Sequence, residues 1–235
     1  MSTLNPTKKI SRRQELREDK VITLYAKAWE FFDENKALVR GVLVAIVVVA
    51  LAMVAWGFYQ DNRAVQADAL MGAPVKAYEA GNYREALDGT PDSPGLLMLA
   101  DDYGSTKAGN LARFYAADAL YRLGEFDEAL GRFEAYDKSE NYIGASAFAG
   151  QAAIYENKED FKRAGDLYRR AALFFESEVT SPQYLYSAGQ AYEHAARYDD
   201  AHEAFLLIQE RYPDSALARN IDVDLARVEA RRKAS

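Results

Sequence analysis

The sequence contains no cysteine. That excludes disulfides, thiolate metal sites, cysteine nucleophiles and a lipidated cysteine anchor. Histidine is nearly absent too: His194 and His202 are the only two. The repeat spacing described below puts them on successive helices across a turn, without a clear carboxylate partner, so no metal site is expected. No glycine-rich phosphate loop is present. Gly104-Ser105-Thr106-Lys107 has the lysine and threonine of such a loop but not its glycine spacing. Asp101-Asp102 and Asp199-Asp200 are adjacent pairs, which suits solvated turns better than two catalytic acids. No catalytic residue, cofactor or small-molecule substrate is therefore expected. Proline is scarce, at 6 residues in 235, and β-branched residues gather mainly in one stretch. Both favour an all-α protein.

An excess of positive charge is also missing from most of the chain. Residues 60–235 hold twenty Lys/Arg against thirty Asp/Glu, whereas residues 1–40 hold nine against six. An acidic main body makes a poor nucleic-acid binder, because phosphate neutralisation needs clustered Lys and Arg. No nucleic acid is expected as a partner. The split suits a membrane protein with one basic flank.

Residues 41–59 read GVLVAIVVVALAMVAWGFY, nineteen residues without a charge. As a helix they span about 28 Å, close to the ~30 Å hydrocarbon core. Ten are Val, Leu, Ile or Phe, each favouring insertion by roughly 0.3–0.6 kcal/mol. A Val-rich run is a weak helix in water, but in lipid the backbone must satisfy its own hydrogen bonds, so helix wins. Lys36 and Arg40 precede the run, Trp56 and Tyr59 mark its far end, and Asp61, Asn62 and Arg63 close it. Ala50-Leu51-Ala52 resembles a signal-cleavage site, but it lies in mid-run and forty residues precede the run. An uncleaved anchor is expected. The first twenty residues beyond the run contain only Arg63 and Lys76 as basic residues, so the N-terminus is expected in the cytoplasm and the C-terminal domain in the periplasm of a bacterial inner membrane. Before the run, Val21, Leu24, Tyr25, Ala28, Trp29 and Phe32 recur at helical spacing, which predicts an amphipathic juxtamembrane helix. Residues 1–12 are expected to be disordered.

Beyond the anchor the sequence repeats. Gly81-x-Tyr83-x-x-Ala86-Leu87 recurs as Gly124-x-Phe126-x-x-Ala129-Leu130, then more loosely as Phe161-x-x-Ala164 and Ala196-x-Tyr198-x-x-Ala201. The four alanines are 43, 35 and 37 residues apart. The reading is a helix–turn–helix unit, with the glycine ending the first helix, the aromatic wedged between helices and the alanine allowing close approach. Other offsets agree. Phe133, Tyr168 and Phe205 follow their alanines by four, Leu120, Tyr155 and Tyr192 precede by nine, and Ala117, Ala152 and Gly189 precede by twelve. Pro213 ends the last unit. In the first unit Thr90 stands where the others have the large aromatic, so its second helix is expected to be short or irregular, followed by a break at residues 90–95. Ser93-Pro94 and Ser181-Pro182 read as helix starts. Residues 216–233 read as a charged terminal helix capping the row.

These small, aromatic and proline positions resemble the tetratricopeptide repeat family. That resemblance implies an α-solenoid of about four repeats after a single transmembrane helix. Over the whole chain, Trp29-x-Phe31-Phe32-x-x-Asn35-Lys36-Ala37-Leu38 leading into the anchor and a repeat domain is similar to the ancillary SecYEG translocon subunit (YfgM-like) family. The segment 100–110, ADDYGSTKAGN, also resembles a stretch in such proteins, without an assigned chemistry. The domains expected are a cytoplasmic tail (1–40), the spanning helix (41–59), a connecting helix with a degenerate first repeat (60–110), the repeats proper (111–213) and the capping helix (214–235).

The resemblance implies a protein-interaction module at the export channel, with SecYEG, a periplasmic chaperone or exported polypeptides as partners. A structural scaffold in cell-envelope or cell-division assembly is the alternative. Groove-facing offsets from each alanine pick out Phe114, Asp118, Tyr121, Glu156, Tyr186, Gln190 and Glu193 as the candidate protein-binding groove. The mix of aromatic and acidic side chains suits extended peptides carrying apolar and basic residues.

Overall fold

The computed structural model describes residues 29–31 and 33–234. The expected disordered segment 1–12 lies outside them, as do all the residues that define the expected amphipathic helix except Trp29. The chain divides into two units, Met1–Tyr59 and Gln60–Ser235.

Helix α1 (Lys36–Leu70) includes the whole apolar run, and its residues up to Tyr59 belong to the first unit. It is the one helix among the described residues long and apolar enough to cross a membrane. Every residue from 41 to 59 is exposed, as an apolar helix surrounded by lipid requires. Arg40 Nε donates to the Lys36 carbonyl at 3.2 Å, and Lys36 pairs with Asp33 at 2.7 Å. At the far end the Trp56 and Tyr59 rings lie 5.9 Å apart.

The second unit is mostly helical and repeats a helical hairpin. The first hairpin is α2 (Gly72–Glu79) and α3 (Tyr83–Asp88). After α4 (Leu96–Asp102) come α5 (Lys107–Arg122) with α6 (Phe126–Ala135), α7 (Tyr142–Asn157) with α8 (Phe161–Phe174), and α9 (Ser181–His194) with α10 (Tyr198–Arg211). A last helix, α11 (Ile221–Ala234), packs against α10.

Each hairpin turns on one left-handed residue five positions before its alanine. These are Gly81 (φ 80°), Gly124 (81°), Glu159 (59°) and Ala196 (55°). The following amide reaches back over the helix end in every case: Asn82 to the Ala77 carbonyl, Glu125 to Leu120, Asp160 to Tyr155 and Arg197 to Tyr192, at 2.8–2.9 Å. This six-to-one closure satisfies a carbonyl that the ending helix leaves orphaned. The third and fourth copies, loose in sequence, have the same turn as the first two.

Ala86, Ala129, Ala164 and Ala201 are completely buried. Phe133, Tyr168, Phe205, Leu120 and Tyr192 are buried at the offsets expected of core positions. Gly189 shows why a small residue is needed on the facing helix: a Cβ there would stand 2.3 Å from the Phe205 ring.

The first hairpin departs from the rest. α3 stops after six residues at Gly89, where φ is +82°. A two-stranded ribbon follows, β1 (Gly89–Thr90) antiparallel to β2 (Ser93–Pro94), before α4 resumes helical packing against α5. This insertion accounts for the longer first spacing. It also corrects the expected helix start at Ser93-Pro94, which lies in a strand; α4 begins at Leu96. Gly95 tucks under α3 so closely that a Cβ would stand 2.0 Å from the Leu87 carbonyl oxygen, so the chain stays extended through β2. Ser181-Pro182 does open a helix, with proline in its first turn. The terminal helix begins at Ile221 rather than 216. Ser215 Oγ accepts the Ala218 amide at 3.2 Å, and residues 216–220 form turns ahead of the helix. Ile221 and Val228 then bury fully.

Two sets of substitutions test this frame. Gly124→Ala places a Cβ on a left-handed residue and should cost about 1–2 kcal/mol, whereas Ala196→Gly relieves the same strain and should be neutral or mildly stabilising. Ala129→Leu and Ala164→Leu should each cost roughly 1–3 kcal/mol by overpacking the hairpin contact. Urea denaturation of the full-length protein in detergent, followed by circular dichroism, measures both.

Candidate protein-binding face

The first helices of the hairpins, α2, α5, α7 and α9, are joined to one another by side-chain hydrogen bonds. The Tyr78 hydroxyl on α2 donates to Asp118 on α5. Asn157 Nδ2 on α7 donates to the Tyr121 hydroxyl on α5 at 3.3 Å, and Ser146 on α7 meets the Tyr184 hydroxyl on α9 at 3.2 Å. Arg227 on α11 holds Glu193 on α9 through two bonds of 3.0 and 2.7 Å. The partners are 40, 36, 38 and 34 residues apart, about one repeat each. Elsewhere the hairpins are joined by ion pairs at similar spacing, among them Arg84–Glu125, Arg169–Glu203 and Arg211–Glu176.

The seven sequence-predicted groove residues fall into different roles within this ladder. Phe114 packs between α5 and α6, its ring 5.9 Å from Phe133 and 5.8 Å from Tyr136. Tyr121 leans on Phe126 and Tyr186 on the buried Phe205, each at 5.6 Å between ring centroids. Asp118 is engaged by Tyr78 and by Arg122, the latter at 2.5 Å. Glu193, its side chain only 10 % exposed, is engaged by Arg227. Glu156 is exposed and accepts a hydrogen bond from the Tyr168 hydroxyl at 2.9 Å. Gln190 is exposed and makes no hydrogen bond to a described residue. Of the three acids, two already carry a guanidinium partner; Glu156 is held by a neutral phenol and keeps its charge for a ligand.

Ser146, Ala149, Ala153 and Asn157 form one stripe along α7, at spacings of three, seven and eleven residues from Ser146. The ends of this stripe bond to the neighbouring first helices on either side, and two half-buried alanines lie between. This middle helix offers a floor of small side chains, with Glu156 beside it and the 55 % exposed Tyr142 at its start. Tyr78, Ser146, Asn157, Tyr184 and Arg227 were not singled out by sequence reasoning. The signal available for the first four was a polar pair one repeat apart. Arg227 lies beyond the repeats and gave none.

Burial, followed by the neighbouring carboxylate, pushes three phenols well above the ordinary tyrosine range: Tyr78 beside Asp118, Tyr168 beside Glu156 and Tyr192 beside Asp166. They are hydrogen-bond donors at neutral pH. The carboxylate bonds of Asp118 and Glu193 hold Arg122 and Arg227 above their ordinary values. Among the described residues no group of three or more His, Asp or Glu is placed to hold a metal ion. His194 lies on α9, stacked at 4.9 Å on the Phe161 ring, and His202 lies on α10.

The raised phenols carry a pH dependence of known sign. The folded state keeps each proton to a higher pH than the unfolded chain does, so their stabilisation is complete below about pH 10 and is lost as pH rises towards the folded value. The urea midpoint should therefore begin to fall near about pH 10 and keep falling at higher pH, and Tyr168→Phe, which removes one of the three protons, should flatten that fall.

Comparison with protein-family models finds no match to this chain, and comparison with curated proteins finds none either.

Proposed function

We propose that this protein is a membrane-anchored tetratricopeptide-repeat interaction module. Its N-terminus lies in the cytoplasm and its repeat unit in the periplasm. It serves as an ancillary factor of the Sec translocon that binds exported chains or a periplasmic chaperone, and it catalyses no reaction. The observation that carries the repeat reading is the recurrence of one left-handed residue five positions before a fully buried alanine in all four hairpins. The anchor is supported by the exposed apolar run of α1, and the orientation by the concentration of Lys and Arg before it. The link to export rests on the family resemblance of the whole arrangement.

On this reading the binding face runs along α7. Its alanine floor fits an extended chain of small or apolar residues, and Glu156 offers a charge to a basic one. A scaffold in envelope or division assembly would use the same parts, so partner identity decides between them.

Two measurements test the proposal. Protease added outside spheroplasts should digest the repeat unit and spare a tag at residue 1; the reverse pattern would invert the topology. Photo-crosslinking residues at positions 142 and 190, both exposed, should capture SecYEG subunits, exported chains or a periplasmic chaperone in native membranes. Crosslinks confined to division or wall-assembly proteins would favour the scaffold instead.

A further inference from the structure

The segment 100–110 runs from the end of α4 into the first turn of α5, and the proposed binding face makes no use of it. Nearly every residue in it is nonetheless tied down. Ala100 is completely buried. Asp101 pairs with Arg132 on α6, and Asn110 exchanges two hydrogen bonds with the Asp137 backbone, both 2.9 Å. The turn between α4 and α5 is closed on itself. Thr106 donates to the Tyr103 carbonyl from its amide and its hydroxyl, both at 2.8 Å, and Thr106 Oγ1 caps α5 by accepting the Gly109 amide at 3.1 Å. Gly109 passes so near that a Cβ there would stand 2.0 Å from the Tyr103 carbonyl oxygen. Arg113 donates to the Gly104 carbonyl at 3.1 Å.

This rigid turn points two side chains at one stripe of α1 beyond the apolar run. The Tyr103 ring lies 4.9 Å from the Arg63 guanidinium carbon, and its hydroxyl is 3.5 Å from Gln66 Oε1. Ser105 Oγ is 3.5 Å from Gln60. Gln60, Arg63, Gln66 and Ala67 recur at three-, six- and seven-residue intervals from the first, so they share one side of the helix. Ala67 is completely buried, and Met71 belongs with it to the same cluster as Leu96, Leu99 and Ala100.

We propose that residues 103–110 form a clasp that holds residues 60–71, the stem of the anchor, as a part of the folded repeat unit. Tyr103 is the gripping side chain. The glycine at 109 and the Thr106 cap set its position. No linker is left between the clasp and the apolar run, because Gln60 directly follows Tyr59. The contact is small, the Tyr103 ring and the Ser105 hydroxyl against three polar side chains beside a buried alanine, so it can be opened without unfolding the hairpins. The clasp does not depend on which partner the binding face takes.

The test is native-state hydrogen exchange of the full-length protein in detergent micelles. Tyr103→Ala should speed exchange of amides 64–70 roughly tenfold, the loss of one half-buried cation–π contact, and leave α9 amides unchanged. Tyr103→Phe, which keeps the ring, should restore the wild-type rate. If the stem amides are unaffected, there is no clasp. If stem and α9 amides accelerate together, Tyr103 is an ordinary core residue and the proposal fails. Should Tyr103→Ala not fold, Arg63→Gln removes the same contact from the stem side. It should then speed amides 64–70 selectively, and an unchanged rate in that variant overturns the proposal.

Discussion

At Ala86, Ala129, Ala164 and Ala201 the second helix of each hairpin meets the first with only a methyl group to separate them. Such an approach fixes where the intervening turn must end, because the chain has five residues in which to reverse. A left-handed residue achieves this while closing the last helical turn. Glycine takes that conformation without strain, yet Glu159 and Ala196 adopt it in the third and fourth hairpins, at about 1–2 kcal/mol each for a non-glycine residue. That cost is tolerated because both sides are held, by the six-to-one bond behind and the buried alanine ahead. Hairpin length is less constrained. The first hairpin interrupts its second helix with a ribbon and still keeps the turn and the alanine.

The features legible in the sequence are those with a period. The alanines, the aromatic residues four positions later and the small residues twelve before them recur along the chain, and burial follows them closely. The apolar run was legible from length alone. Ser93-Pro94 and Ser181-Pro182 show where local signals fail. The two dipeptides are identical, but one lies in a strand and the other opens a helix. What separates them is tertiary: Gly95 packs under the Leu87 carbonyl and keeps the chain extended. The groove offsets located Asp118 and Glu193 on first helices without revealing that each has a partner. Tyr78 lies one repeat earlier and Arg227 on a helix outside the pattern, and neither is visible from the acid's own neighbourhood.

Those partners change the electrostatics of the proposed binding face. A basic ligand reaching Asp118 or Glu193 meets a carboxylate whose charge Arg122 or Arg227 already balances, and so gains less. At Glu156 the competitor is a neutral tyrosine hydroxyl, which can keep its bond while the second carboxylate oxygen accepts another. Discrimination on this face is therefore concentrated in the third hairpin. The ion pairs between hairpins, mostly exposed, contribute little individually. Their value lies in register, since each links residues about one repeat apart and would be broken by a slip of one helix along its neighbour.

A row of hairpins must also end, and each end presents an apolar flank that a further hairpin would have covered. At the C-terminal end α11 supplies Ile221 and Val228 to the core and turns a charged side to solvent. At the other end, among the described residues, no separate capping helix lies between α1 and α2. Ala67 and Met71, from the stem of the anchor, join the buried cluster of α4 and α5 instead. The stretch of helix that follows the apolar run thus contributes to the closure of the core. Freeing the stem exposes Ala67 and Met71 themselves, so the hydrophobic effect that stabilises the repeat unit also opposes its separation from residues 60–71. A cut made just before Gln60 would leave that cap in place, whereas a cut after Met71 would remove it. The fold boundary of the repeat unit therefore lies at the end of the apolar run, ahead of the first hairpin.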